Sequence, residues 1–377
     1  MKLRKTYIVE DESIKKSGTL IKNLDFTSPL VGLEIGFYGK RYDHTNTNAP
    51  YLLADIDKIE IVDGSEVIFS LSGRQAAAAQ LYHTGKRPFE AFTLNSNSTN
   101  RSQITILFGR DKFDSSYMLD TKRFTNPQLK ITYSFTEGTT GNWAEGTQTV
   151  TLAALIAEGA GAPRGYFMTK EVYSWSKSTS GDETIDLPRD LPYRFIMFQA
   201  LAAETPIYAE FSKVKISCNY DEFVPINETT EDLAWSNLQD YGFQFQQTES
   251  IGDGSEENIK AYYPFAWNWG CFVQSWNLGQ DCVPKRPYSG YTTLGRRTTG
   301  AASGNDFTST FMADGQRGFS TGYGWEYYDT EVIPFGNIKD ETNWFDPRGW
   351  KSVRLILTQA QTNALASSIV IQQVKSY

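Results

Sequence analysis

Asp55-Ile-Asp-Lys-Ile-Glu-Ile-Val-Asp-Gly64 returns in a second version in the other half of the chain, as Glu210-Phe-Ser-Lys-Val-Lys-Ile-Ser-Cys-Asn219. Ile56, Lys58, Ile59 and Ile61 match Phe211, Lys213, Val214 and Ile216 in type and order. Apolar residues alternating with polar ones describe a half-buried strand. Each copy continues through a turn into a short strand-like piece, Ser65–Leu71 or Glu222–Ile226, and then a helix-like piece, Gly73–Tyr82 or Thr230–Tyr241. The run Ala76–Ala79 has the best helix propensity, and Gly85 lies just beyond its end.

The flanks repeat in the same order. Thr19-Leu20-Ile21 leads to Leu30–Phe37, as Thr184-Ile185-Asp186 leads to Tyr193–Leu201. Downstream, Asn126-Pro127 precedes Leu129–Phe135, and Asp346-Pro347 precedes Val353–Thr358. Thr147–Ala153 and Ser368–Val374 close the two halves. A period this long signals a duplicated domain rather than a solenoid. The Gly-rich stretch Gly159-Ala-Gly-Ala-Pro-Arg-Gly165 has linker character and marks the expected boundary.

The expected organisation is an arm at 1–18, a first β-domain at 19–160 and a second at 161–377. The arm is polar and mixed in charge. It reads either as solvated or as ordered against neighbouring subunits or an anionic membrane surface. The second half carries an insertion at about 242–343, dense in Trp, Tyr, Phe and Gly, and disordered segments are poor in aromatics. Its richest parts are Tyr262–Trp269 and Gly322–Tyr328.

Composition narrows the function. The 377 residues are 40% hydrophobic and 21% charged, enough to bury a core in each half. A net charge of -8 argues against a surface that coats nucleic acid, which needs dense Lys and Arg. No run of about 18 apolar residues offers a transmembrane helix, and Met1–Gly18 lacks the apolar centre of a signal peptide. Cys218, Cys271 and Cys282 do not make a disulfide framework for two domains. Reduced, buried thiols in a cytoplasmically made protein are expected, and spacing alone does not show whether Cys271 and Cys282 pair.

Catalytic patterns are scarce. His44 and His83 sit in no zinc-binding arrangement, and there is no G-x-S-x-G elbow or Walker loop. Gly252–Asn258 is acidic but lacks the spacing of a calcium loop. The sequons at Asn97, Asn100 and Asn227 matter only in a secreted eukaryotic protein. One enzymatic pattern stands out: Trp267, Trp269, Trp325 and Tyr327 as an aromatic platform for a sugar, with Glu326, Asp329 or Glu331 as the two acids of a glycosidase. Packing accounts for the same rings.

The stretch Ile59–Leu71, with Phe108-Gly-Arg110, Asn126-Pro-Gln-Leu129, Glu183–Leu191 and Lys213–Asn219, resembles the double jelly-roll major capsid proteins of tailless icosahedral viruses. The likeness is greatest to bacteriophages with an internal membrane and spans about Thr19 to Tyr377. It implies an all-β fold of two tandem jelly-roll barrels with short helices and a tower-like loop insertion in the second. It further implies a non-enzymatic homotrimer forming pseudo-hexagonal capsomers of a virion shell assembled in the host cytoplasm. Partners would be neighbouring capsomers, penton and minor capsid proteins, and a membrane beneath the arm, with no specific nucleic acid, cofactor or metal. The expected interface residues are Lys2, Arg4 and Lys5 facing inward and Trp267, Trp269, Trp325 and Tyr327 facing outward. The alternative is a carbohydrate-binding or glycoside-cleaving β-sandwich using the 262–328 region. A secreted adhesin is a third reading, against which the missing signal peptide speaks.

Overall fold

The structure, a computed structural model, describes residues 1–42, 51–93, 97–138, 142–201, 205–251, 259–275, 291–294, 317–360 and 365–377. The first half opens with β1 (Lys2–Ser13), β2 (Ser17–Asn23) and β3 (Leu30–Lys40). A tight turn at Leu52–Asp55 precedes β4 (Ile56–Asp63) and β5 (Glu66–Leu71). Helix α1 (Gly73–Thr84) follows, then β6 (Phe89–Thr93), β7 (Thr99–Leu107), β8 (Pro127–Ser134) and β9 (Thr149–Glu158). The strands β1-β9-β3-β7 lie side by side in one sheet and β2-β8-β4-β5 in another. Apart from the paired neighbours β4–β5 and β6–β7, successive strands alternate between the sheets, which is the jelly-roll path.

The second half starts with β10 (Gly165–Ser176), β11 (Gly181–Asp186) and β12 (Tyr193–Ala200). The short helix α2 (Ile207–Glu210) precedes β13 (Phe211–Cys218), β14 (Phe223–Thr229) and helix α3 (Thr230–Tyr241). The insertion contributes β15 (Gln244–Ile251), β16 (Ile259–Tyr262), β17 (Phe265–Ser275), β18 (Tyr291–Leu294) and β19 (Arg317–Tyr327). Last come β20 (Thr330–Pro334), β21 (Val353–Gln359) and β22 (Ala366–Ser376). Here the orders are β10-β22-β12-β20 and β11-β21-β13-β14. Put β10 for β1, β22 for β9, β12 for β3 and β20 for β7, and the first sheet of each half has one order. The second sheets correspond in the same way.

The likeness extends to irregularities. Pairing of β4 with β8 slips between Ile56 and Lys58, and pairing of β13 with β21 slips between the matched residues Phe211 and Lys213. A bulge of this kind sharpens the local twist and bends the strand. The motif that opens the sequence reading is thus the same strand, with the same kink, in both barrels.

Two short parallel contacts join the halves. Thr169 and Lys170 of β10 pair with Phe69 and Ser70 of β5, so one sheet runs β2-β8-β4-β5-β10-β22-β12-β20. Thr248 and Glu249 of β15 pair with Phe92 and Thr93 of β6, so insertion strands β15, β19 and β17 extend the first half's other sheet. Two expectations change here. Within the range 242–343, the described strands β15, β19 and β17 belong to a shared sheet rather than a free outgrowth, and β20 is a barrel strand. Residues 1–18, expected as an arm, hold β1, antiparallel to β9, and the start of β2. An edge strand has one neighbour and needs little apolar sequence, and in β1 only Val9 is buried.

The sheet β10-β22-β12-β20 has a barrel interior on each side. Along β12 every residue is buried. Phe195 and Met197 face the larger core, shared with the first barrel, while Tyr193, Ile196 and Phe198 face the second barrel's own core. A strand covered on both faces loses its polar alternation. Helix α1 is enclosed in the same way. Ala76–Ala79 are all buried, and small side chains let it pass close to its neighbours. Its start is a capping box: Ser72 Oγ accepts from Gln75 N at 3.2 Å, and Gln75 Oε1 accepts from Ser72 N at 2.9 Å. Gly85 ends it at φ 73°, a left-handed position.

Ile61 and Ile216 are matched positions, both fully buried, in separate cores. Ile61→Ala and Ile216→Ala should each cost about 2–5 kcal/mol in chemical denaturation. Because they share no core neighbours, the double variant should lose the sum to within about 0.5 kcal/mol.

Candidate functional site

The acids and rings singled out in the sequence converge where β19 turns into β20. Trp325 is 1% exposed, and Glu326, Tyr327 and Glu331 are fully buried. Three residues of this turn, Glu326, Tyr328 and Asp329, have φ values of 58°, 51° and 55°. Side chains with a Cβ rarely adopt this left-handed region, which costs about 1–3 kcal/mol per residue. The turn is held by main-chain bonds from outside it. Tyr328 N donates to Pro264 O at 2.8 Å, and Ala200 N donates to Asp329 O at 3.2 Å. Tyr82 of α1 reaches across to donate to Thr330 O at 2.6 Å.

Each buried carboxyl has a separate set of donors. Glu90 of β6 accepts from the Tyr327 hydroxyl and from the Tyr328 hydroxyl, the latter at 2.5 Å. Glu331 accepts from Asn237 Nδ2 of α3 at 2.7 Å, from Trp325 Nε1 at 2.9 Å and from Val332 N at 2.9 Å. Glu326 Oε2 accepts from Ile207 N at the start of α2, at 2.7 Å. Its other oxygen, Oε1, is buried with no hydrogen-bond partner. Burial raises all three carboxyls above the usual carboxylate range, and repulsion from Glu331 lifts Glu326 further. The two tyrosine hydroxyls pull Glu90 back in part.

This geometry takes Trp325 and Tyr327 out of the sugar platform. A platform must expose the faces of its rings, and a catalytic pair must flank a substrate. Trp325 stacks on Tyr241 at 6.0 Å and meets Tyr82 edge-on at 5.8 Å, both inside the core. Trp267 lies opposite Trp325 in the β17–β19 ladder, while the side chains of Trp267 and Trp269 are outside the described residues. His44, Cys282 and Gly252–Asn258 are outside them as well.

The described surface has two notable clefts. One of about 390 Å³ lies beside α1 and α3 and is lined by His83, Asp240, Tyr241 and Lys339 among others. In it His83 Nε2 donates to Gly109 O at 2.8 Å while Nδ1 accepts from Gln372 at 3.3 Å. Burial pushes His83 down to about 3, so it stays neutral and serves packing. The other cleft, about 380 Å³, has Arg110 and Asp114 along its wall. That pair is joined at 2.7 Å, which holds Asp114 low. Neither cleft is lined by Glu326, Asp329 or Glu331.

The expected interface residues do not come together. Lys2, Arg4 and Lys5 are exposed on β1, six strand spacings from β19 in the same sheet, roughly 30 Å. Arg4 pairs with Glu158 at 2.6 Å and Lys5 with Glu34 at 2.7 Å, so two of the three charges have neighbours that offset them. Trp325 and Tyr327, expected outward, are core residues. The correction has a simple cause: an aromatic-rich turn at a junction of sheets packs inward because it has surfaces on several sides to cover. Sequence reasoning did not find Glu90 or Asn237. In Phe89-Glu90-Ala91-Phe92 a charge between apolar residues reads as the solvent side of a strand, and it is the Tyr327 and Tyr328 side chains, from the end of β19 two strands along the same sheet, that reach Glu90 there.

With the fold and the junction in view, the molecule can be set beside known ones. No protein-family model matches the sequence, and no curated protein matches it. Solved structures do match, along the whole chain. It has the fold of viral major capsid proteins. The major capsid protein P2 from bacteriophage PM2 is similar over 100% of this chain and 98% of that one, with 10% identity and a TM-score of 0.55. A chain of Sulfolobus Turreted Icosahedral Virus is similar over 99% and 90%, with 7% identity and a TM-score of 0.59. The crystal structure of the STIV MCP is similar over 99% and 96%, with 8% identity and a TM-score of 0.56. The likeness covers both barrels and includes the two-jelly-roll plan expected from the sequence.

The Glu90 clasp is directly testable. Tyr327→Phe deletes a donor to a buried carboxyl and should cost about 1–3 kcal/mol in chemical denaturation. Glu90→Gln, which keeps an acceptor for the same hydroxyls, should cost less.

Proposed function

We propose that this chain is a structural subunit, the major capsid protein of an icosahedral virion, and not an enzyme. The observation that carries the reading is the end-to-end similarity to a phage major capsid protein, covering 100% of this chain and 98% of the other. At such low identity the shared fold, rather than shared residues, is the ground for it.

Physical reasoning supports the same conclusion. Two barrels with one strand order are two lobes of similar shape in one chain. Three chains about a threefold axis then present six similar lobes, a block that tiles a shell while keeping threefold symmetry. Under this reading the division between units falls in 159–165, and β1 belongs to the first barrel. Partners are two further copies in a homotrimer, neighbouring capsomers, and penton and minor capsid proteins, with the assembled protein in the virion after synthesis in the host cytoplasm. A membrane contact at Lys2, Arg4 and Lys5 has less unbalanced charge to rest on, since Glu158 and Glu34 lie against two of them.

A native mass of three times the 42.5 kDa chain is expected in solution, or a larger shell-like assembly visible by negative-stain microscopy. A chain that stays monomeric at every attainable concentration would remove the proposal.

A further inference from the structure

Glu326 and Glu331 share a dry site at the junction of both barrels and the insertion, yet the donors around them are unequal. Glu331 receives three N–H donors, which suit an ionised carboxylate. Glu326 receives only main-chain donors from α2, Ile207 N at 2.7 Å and the Tyr208 amide beside it, and its Oε1 is buried without a partner. A charged oxygen left in that state would carry the full penalty of lost hydration, whereas a protonated one would not.

The groups facing this pair come from every neighbouring element. Burial keeps Tyr82 of α1 and Tyr241 of α3 as neutral phenols; Glu331 opposes ionisation of both, Glu326 that of Tyr82, and Asp240 that of Tyr241. Asp329 in the turn adds a further acid, and the Arg74 charge acts on Asp329. Ile207 of α2 offers its main-chain amide. Among the described residues no lysine or arginine forms a salt bridge with Glu326 or Glu331. The site therefore balances its charge with a proton instead of a cation.

The surrounding turn is strained, with Glu326, Tyr328 and Asp329 all left-handed. Such a conformation persists only while its neighbours hold it. We infer that the Glu326–Glu331 turn is a proton-operated clasp: with Glu326 protonated it fastens β19 and β20 to α2 and α3, and loss of that proton opens the junction and loosens the insertion strands from the barrels. This goes beyond the capsid reading and does not depend on it.

The direction with pH follows from linkage. Glu326 lies well above its ordinary value of 4.5 in the folded chain, because of burial and then repulsion from Glu331. Its stabilising contribution is complete below about 4.5, declines as pH rises above that, and is lost once the raised folded value is passed. The clasp is thus closed in acid and opens toward alkali.

Hydrogen exchange on the full-length chain, measured by mass spectrometry between about pH 5 and about pH 9 and corrected for intrinsic rates, reads the opening. Amides in 325–331 and 207–211 should gain an extra acceleration of about tenfold per pH unit or more, the signature of at least one proton released on opening. Glu331 and Asp329, both raised to about 7 by burial, add their own protons to the opening, so Glu326→Gln, a neutral mimic of the protonated side chain, should lower the extra slope without erasing it. Should this variant not fold, infrared spectroscopy at neutral pH and above about pH 8, where carboxyls near 7 have largely ionised, decides: a protonated-carboxyl carbonyl band that persists there and survives Glu90→Gln supports the clasp. Protection in 325–331 that is independent of pH, the same slope in Glu326→Gln, or the absence of that band would each overturn it.

Discussion

A sheet with two dry faces governs this molecule. The strands β10-β22-β12-β20 close the second barrel on one side and roof the larger, shared core on the other. Where both faces are covered, along β12 and most of β22, the sheet cannot send polar side chains to solvent, so polar residues there need partners inside. Arg194 shows how. Its Nε donates to Ile338 O at 3.0 Å, its Nη1 donates to Gln372, and its guanidinium lies 4.0 Å from the centre of the Phe167 ring. Burial pushes it down to about 9, still charged at neutral pH, and the ring face supplies part of what water would.

The two-sided burial also explains where the halves meet. The parallel join of β5 to β10 is only two residue pairs long, too little by itself to fix one barrel against the other. The shared core does that work through side chains from both halves, including Phe69, Tyr166, Met197 and Val332. The second contact, β6 with β15, is as short. Its register is held by the Tyr327 and Tyr328 hydroxyls on Glu90. Buried hydrogen bonds of this kind specify a unique arrangement because any shift leaves a carboxyl unpaired.

Much of the barrel plan was legible in the sequence. The matched pairs that open each half map onto matched strands, from Thr19 and Thr184 in β2 and β11 to Val150 and Ile369 in β9 and β22. Where such a strand has a core on one face, as β8 and β21 do, period-two alternation records it directly. The helix over Ala76–Ala79 was equally visible, since its cap residues are local. The edge strand β1 was not. Its exposed Lys2, Arg4, Glu10 and Asp11 read as an arm because one-sided pairing leaves almost no apolar trace. The roles of Trp325 and Glu331 were hidden for the opposite reason: a rim and a crowded junction use the same residue types.

Local patterns by themselves determined that this chain is β-rich, duplicated and provided with a helix in each middle connection. Alternation, capping and turn chemistry act over a few residues and leave their mark in the order of amino acids. Only the tertiary structure decided that the insertion strands continue a sheet of the first barrel, and that the aromatic turn at Trp325–Glu331 faces inward. Those outcomes depend on which surfaces meet across more than two hundred positions of chain, from Glu90 to Tyr327, and the free energy of covering such surfaces is set by proximity in space, which no short stretch of sequence encodes.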